Sequence, residues 1–343
     1  MNASLRILSV ALVGWLCVAL PSFAQEEQDG NLKLLVSNDK LAQSSSSPND
    51  IVFRNRLGGM CFVATADIMA LSRSSNHDFA LLQNDVGGPT ALGAKDLNFE
   101  MRTGPKFNVM IREILFGNDL DLGYMFVDGF SLSRTLYSDA SPLFFNSPLL
   151  SATASNGMGI RFDYISRIHT AEANMRRELG DHLALLAGFR YVDLHEQVDG
   201  TFTTPGLADS RFITSNTDNH LYGFQLGGEL GFNLGKINLT GVGKAGIFSN
   251  QADLTLYGSD ETAAVGGVKG QLAFLGEVDL IASYCITDTI AVRLGYQAMW
   301  LSGAALAIDQ FEMPSDLGPP SWHPATQGSL FYHGAFLGVE ISF

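Results

Sequence analysis

From Arg56 to the last residue, apolar side chains fall at every second position, in runs separated by turn-forming residues. This spacing is the two-residue repeat of a strand with one apolar face. The clearest run is 218–234. Tyr222, Phe224, Leu226, Leu230 and Phe232 fall on one face, and Gly223, Gln225, Gly227, Glu229, Gly231 and Asn233 on the other. The same pattern predicts strands over 56–70, 95–115, 118–134, 156–178, 182–198, 236–256, 267–286, 289–308 and 330–343. Pro105 falls inside the second of these and predicts a bulge there. The run 156–178 changes parity: Met158, Ile160, Phe162 and Tyr164 are followed by Ala171, Ala173 and Met175. An inserted residue near Ser166–His169 would reconcile the halves. Two separate strands would also do so and raise the count from ten to twelve.

The connections sort into two kinds. Phe116-Gly117-Asn118, Leu179-Gly180-Asp181, Leu234-Gly235-Lys236 and Thr287-Asp288 are tight. The stretches 71–94, 135–155, 199–217, 257–266 and 309–329 are long and read as solvated loops. Tight and long alternate along the chain. Together these features predict an all-β fold, an antiparallel transmembrane β-barrel with short periplasmic turns and long outer loops.

Composition supports that class. The chain has 343 residues, 46% hydrophobic and only 16% charged, with 36 glycines. Its mean hydropathy is +0.13. Past residue 24 no apolar run approaches the roughly 20 residues of a membrane-crossing helix. Before it, Arg6, the apolar stretch Ile7–Leu20 and Ser22-Phe23-Ala24 read as a cleaved secretory leader over 1–24. Residues 25–55 are polar, with a serine run at 44–47, and read as a flexible periplasmic lead-in. The barrel then occupies 56–343. The formal charge of −14 argues against nucleic acid as a partner. Cys61 and Cys285 fall on well-separated strands and read as two free thiols.

Several strand segments resemble a family of outer-membrane β-barrel porins, number seven in the usual naming. They are Glu172-Ala173-Asn174-Met175-Arg176-Arg177, Ala187-Gly188-Phe189-Arg190-Tyr191-Val192-Asp193-Leu194, Leu221-Tyr222-Gly223-Phe224-Gln225-Leu226-Gly227 and Leu294-Gly295-Tyr296-Gln297. The resemblance implies an outer-membrane location and a porin-like barrel. It carries over no catalytic residue.

If the apolar faces meet lipid, the alternate positions face the lumen. Parity places Glu100, Arg102, Arg112, Glu172, Arg176, Arg190, Gln225, Glu229, Lys244, Glu277, Asp279, Arg293 and Glu340 there. With Asp67, Asp119 and Asp121 added, acids slightly outnumber bases, so an open lumen would weakly prefer cations. Gly223, Gly227, Gly231, Gly295, Gly334 and Gly338 on that face leave room for a narrow passage. Barrels of about 8 strands are filled by their own side chains, and aqueous channels take about 16–18. The sequence therefore supports two functions, a narrow passive porin and a closed structural or surface-interaction barrel. Phe343, the aromatic C-terminus of the last strand, reads as the signal for the barrel-insertion machinery. Membrane lipid is the other expected partner, and self-association stays open.

A rim hydrolase is the third option. Asp218/His220, Asp193/His195 and His77-Asp78 each set a carboxylate beside an imidazole, as a general base needs. No serine in a nucleophile context accompanies them, and no metal or cofactor motif is present, so the chain reads as a non-enzyme.

Overall fold

The computed structural model describes residues 62–138, 142–147, 149–155, 157–203, 211–259, 264–312 and 323–343. The leader, the lead-in, Cys61 and the expected strand start at 56–61 lie outside the described residues. The described barrel strands are β1 (Phe62–Ser75), β4 (Arg102–Leu115), β5 (Asn118–Tyr137), β8 (Gly159–Glu178) and β9 (Leu183–Thr203). They continue as β10 (Arg211–Leu234), β11 (Ile237–Gly258), β12 (Val265–Cys285), β13 (Ile290–Ala304) and β14 (Gly328–Ser342). Each pairs antiparallel with the next, and β1 closes the ring on β14 in the register Val63↔Ser342 to Ser75↔Leu330. The ten strands are those the alternation predicts, to within a few residues over most of the ring. A closed ring leaves no strand edge unpaired, which hydrocarbon requires.

Four short strands lie outside the ring. These are β2 (Ala80–Asn84), β3 (Thr90–Gly93), β6 (Leu143–Asn146) and β7 (Ser151–Ala154). They form a second sheet in the order β3-β2-β6-β7 from the first two long connections. Their runs are too short to show a clear period, and the sequence reads them as loop.

The parity change in β8 is not a bulge. Ile160, Phe162, Tyr164, Ser166, Ile168, Thr170, Asn174 and Arg176 are all buried, so the same face points inward along the whole strand. The register shift is in its neighbour, between Val127 and Phe130 of β5, where Gly129 adopts φ +84°. Nor does Pro105 mark a bulge. It pairs in regular register with Ile68 of β1, just beyond the point where β4–β5 pairing begins at Lys106↔Met125. A residue without an N–H fits there.

What changes along β8 is the chemistry of the interior. Near the tight turns the inner wall is charged and the outer wall apolar. Phe224, Leu226, Ile247, Leu280, Leu294 and Leu337 are exposed there, between 58% and 71%. Toward the long loops the wall inverts. Phe162, Val192, Leu194, Ile213, Leu254 and Leu301 are buried inside, and Asp193, His195, Asp218, Gln251 and Asp253 take the outer positions. β10 alone has 24 residues. At roughly 3.3 Å per residue and a tilt of about 40° it stands about 60 Å tall. An apolar band needs about 25 Å. The rest of the wall therefore faces water, and its apolar side chains turn inward as in a soluble β-protein.

Candidate functional site

The inner wall of the turn-end half is cross-linked by charge. Arg190 of β9 binds Glu172 of β8 at 2.5 Å and reaches across to Glu277 of β12 at 2.8 Å. Lys244 of β11 joins the same two carboxylates at 2.7 and 2.9 Å, and Gln225 donates to Glu172 at 2.7 Å. All five residues are at sequence-predicted positions. Below them, Arg176 holds Asp119 at 2.9 Å, Glu229 at 3.0 Å and Glu178 at 2.8 Å. Asp279 takes Lys106 at 2.8 Å. Arg293 lies 3.7 Å from Asp67 and 3.6 Å from Glu340. Arg112 lines the space beside Arg176 and makes no ion pair among the described residues.

Two predicted lumen residues fall elsewhere. Glu100 precedes β4 and its side chain is 84% exposed. Arg102, at the first residue of β4, bonds Ser131 at 3.2 Å and lies 3.8 Å from Glu100. The parity rule fails for this pair because the strand starts later than the pattern suggests.

Four of the six inner glycines are filled by neighbouring side chains: a side chain at Gly223 would meet Phe248, at Gly227 Lys244, at Gly295 Phe336 and at Gly338 Asp67, each within 3 Å. Gly334 lies against the backbone of Ala70, and Gly231, at the tight-turn end, has nothing within 4 Å. What remains is a polar cavity of about 270 Å³ among Asp67, Lys106, Glu172, Arg176, Lys244 and Arg293. A second space of about 480 Å³ at the tight turns shares Arg112, Arg176, Glu229 and Glu340 with it.

The loop-end half is packed shut. After β13 the chain folds inward rather than out. Ala304 to Phe311 are all at most 5% exposed, which corrects the expectation that this connection begins in solvent. Phe311 meets Phe145 of β6 edge-on at 5.7 Å, and Phe145 also contacts Phe162 and Phe202 of the wall. Residues missed from sequence pin this segment. Asn219 bonds both the N–H and C=O of Ala305, at 2.7 and 2.8 Å. Glu196, fully buried, accepts from Ala307 at 3.1 Å, from Tyr164 at 2.6 Å and from Arg73. The signal for Glu196 was available: it shares the inward parity of Arg190, Val192, Leu194 and Val198.

At the rim, His77 bridges Asp309 and Glu312, each at 3.1 Å. Asp78 instead pairs with Lys95 at 3.3 Å. Asp309 is outside the membrane-crossing strands, and burial pushes its carboxyl up to about 6 against the opposing pull of His77. An acid whose folded pKa is raised binds more protons folded than unfolded. Its contribution to stability is full below about 4 and is lost as pH rises through about 6. Hydrogen exchange at Leu306–Phe311, corrected for intrinsic rates, should be slower at pH 5 than at pH 8. Asp309→Asn should remove that difference, and an unchanged difference in the variant would assign it to another group.

The remaining candidate dyads also part company. Asp218 and His220, and Asp193 and His195, all lie on the outer face of the wall. They pair across strands rather than within each motif: His195 with Asp218 at 2.6 Å and His220 with Asp193 at 3.4 Å. Cys285 is a free thiol. Phe343 stacks on Phe62 at 5.7 Å, and their backbones bond reciprocally at the ring seam.

The ring of strand pairs, the exposed apolar belt and the alternation of tight and long connections define the class: this is an outer-membrane β-barrel fold. No family model matches the chain, and no curated protein matches it. The resemblance to barrel porin family seven therefore rests on short strand segments, and the class stands without a named family. Solved structures similar to it include the outer membrane protease OmpT from Escherichia coli (13% identity, 82% of this chain and 97% of that one, TM-score 0.49). The translocator domain of the autotransporter NalP from Neisseria meningitidis is similar at 11% identity, over 82% of this chain and 88% of that one, TM-score 0.35. A FadL homologue of Pseudomonas aeruginosa is similar at 7% identity, over 86% and 92%, TM-score 0.29. Likeness at this level concerns the fold alone. It nonetheless corrects one expectation, that of a non-enzyme, because a protease is among the barrels this chain resembles and the fold does not rule catalysis out.

Proposed function

We propose that the protein resides in the outer membrane as a closed barrel that presents its loop end to the outside, and that it does not conduct as a porin. The tight turns, the start of β1 and the end of β14 face the periplasm, and Phe343 at the seam serves the insertion machinery. The observation that carries the reading is the filled loop end. Among the described residues Leu306, Ile308, Phe311, Phe145, Phe162 and Phe202 belong to one buried cluster across this end, each being at most 3% exposed. The charged plane of Glu172, Arg190, Lys244 and Glu277 crosses the barrel beneath. At this strand number interior charges act as cross-links more readily than as a pore lining.

Purified protein, with insertion verified by vesicle flotation and heat-modifiable gel migration, should give no current steps in planar bilayers at any voltage. Reproducible small steps with weak cation preference would overturn the closed reading and restore the narrow porin.

A further inference from the structure

The ring is complete at the height of the apolar belt, and toward the loop end it opens. Pairing of β4 with β5 begins at Lys106↔Met125, yet β5 continues to Tyr137. Pairing of β12 with β13 reaches only Phe274↔Ser302, yet β12 starts at Val265. Between them β5, β8, β9, β10, β11 and β12 stay paired to their loop ends. They rise past the other ring strands as an open sheet with an edge at each side. A strand edge in water presents unpaired N–H and C=O groups, a template for another chain.

The two edges differ. That of β5 carries the register shift at Gly129 and the exposed Arg134, and Arg102 bonds its Ser131 at 3.2 Å. A bulge and charges of this kind guard an edge. The β12 edge is regular. From Val265 to Gln271 it pairs with β11 without a register shift and has no strand partner on its other side among the described residues. Leu272 is already covered, since its carbonyl oxygen lies against Gly303.

The direction of the free groups follows from the tight turn below. Cys285 N–H donates to Lys236 on the β11 side, and Ile286 N–H donates to Ile290 on the β13 side. Backbone groups alternate sides along a strand. Gly266, Val268 and Gly270 therefore turn their N–H and C=O to the open side. Their outer face is uncrowded: Val268 is 51% exposed, and a Cβ at Gly270 would have nothing within 4 Å. Asp253 and Gln251 of β11, opposite Val268 and Gly270, belong to the water-facing wall.

Lys269 gives the edge its charge. It lies on the inner face, half-buried, opposite Ala252, and makes no hydrogen bond or ion pair among the described residues. An inward lysine disfavours a chance apolar strand and favours one that brings an acid. A second copy in the same membrane does not fit. Two copies share the loop-end direction, so edges tilted about 40° from the barrel axis would cross at about 80° instead of lying side by side.

We infer that the β12 edge docks an extended segment of another protein, which adds to the open sheet as a further strand and sets an acidic side chain against Lys269. The inference rests on the reading that the loop end is outside, which decides which proteins reach the edge.

The test uses the full chain in detergent micelles and a fluorescent nine-residue peptide. The peptide alternates threonine and valine, with its central threonine replaced by glutamate. It should bind wild type saturably. Val268→Pro removes one open-side N–H and leaves the β11 ladder intact, since proline is accommodated on a free edge. It should weaken binding by about tenfold, the effect of one or two lost hydrogen bonds, with heat-modifiable migration unchanged. Lys269→Glu should weaken binding about fivefold, and lysine in place of the peptide's glutamate should restore it. No binding to wild type, or equal binding to wild type and Val268→Pro, would overturn the inference. An affinity unchanged in Lys269→Glu would overturn the acidic preference. A dimer in detergent that Val268→Pro dissolves would assign the edge to a second copy instead. Binding to purified protein but not to intact expressing cells would defeat the outward-facing reading and leave the edge site standing.

Discussion

Arg190→Ala should lower the stability of the barrel by about 3 kcal/mol. Arg190 is 2% exposed and bridges Glu172 and Glu277 from opposite sides. Removing it leaves two carboxylates buried side by side with Lys244 as their shared cation. Losing one partner of a buried charge cluster costs more than the cluster contributes, because the remaining charges have no water to return to. The readout is the temperature at which the compact, fast-migrating form converts to the unfolded form on a gel. Arg190→Lys should fall between wild type and alanine, since a point charge cannot replace the two-sided fork. A conversion temperature unchanged in Arg190→Ala would show that the interior is hydrated enough to screen the pair, and the closed reading would lose its lower seal.

Phe145→Ala should cost about 3–4 kcal/mol, but in a different place. Phe145 is fully buried and touches Phe162, Phe202 and Phe311. It belongs to the small sheet and not to the ring. The cavity should therefore loosen β2, β3, β6 and β7 while the ring keeps its pairing. Protease should cut within 76–101 and 138–158 in the variant and not in wild type, and the conversion temperature of the remaining barrel should stay unchanged. Coupled loss of both would mean that ring and small sheet unfold together.

The ten ring strands were legible because one physical rule governs them in the belt: a side chain at every second position must suit hydrocarbon. The same rule set Glu172, Arg190, Lys244 and Glu277 on the inner face, where they are cross-linked by ion pairs. It failed where the belt ends. Ile160, Phe162 and Tyr164 look like lipid-facing residues, and they are core, because above the belt the outside is wet. The apparent parity change in β8 is this inversion. Glu100 was misplaced because the start of β4 carries no turn signal of its own. The inner glycines suggested space, yet at Gly223, Gly227, Gly295 and Gly338 the missing Cβ is used by Phe248, Lys244, Phe336 and Asp67, and only Gly231 is open. The inward course of Ala304–Phe311 has no periodic signature, since its backbone is satisfied by Asn219 and Glu196 from far along the chain and by Gln310 from within the segment.

The seam between β1 and β14 has a kinetic consequence. Every other ring pairing joins strands that follow one another around the barrel, so each can form as a local hairpin. This last one joins the first ring strand to the final one, across nearly the whole described chain. Loop closure on that scale is slow, and until it happens two bare strand edges coexist. The half-made sheet can then zip to a neighbour of its own kind as easily as to itself. Phe62 and Phe343, stacked beside their reciprocal backbone bonds, form the clasp that ends this exposure.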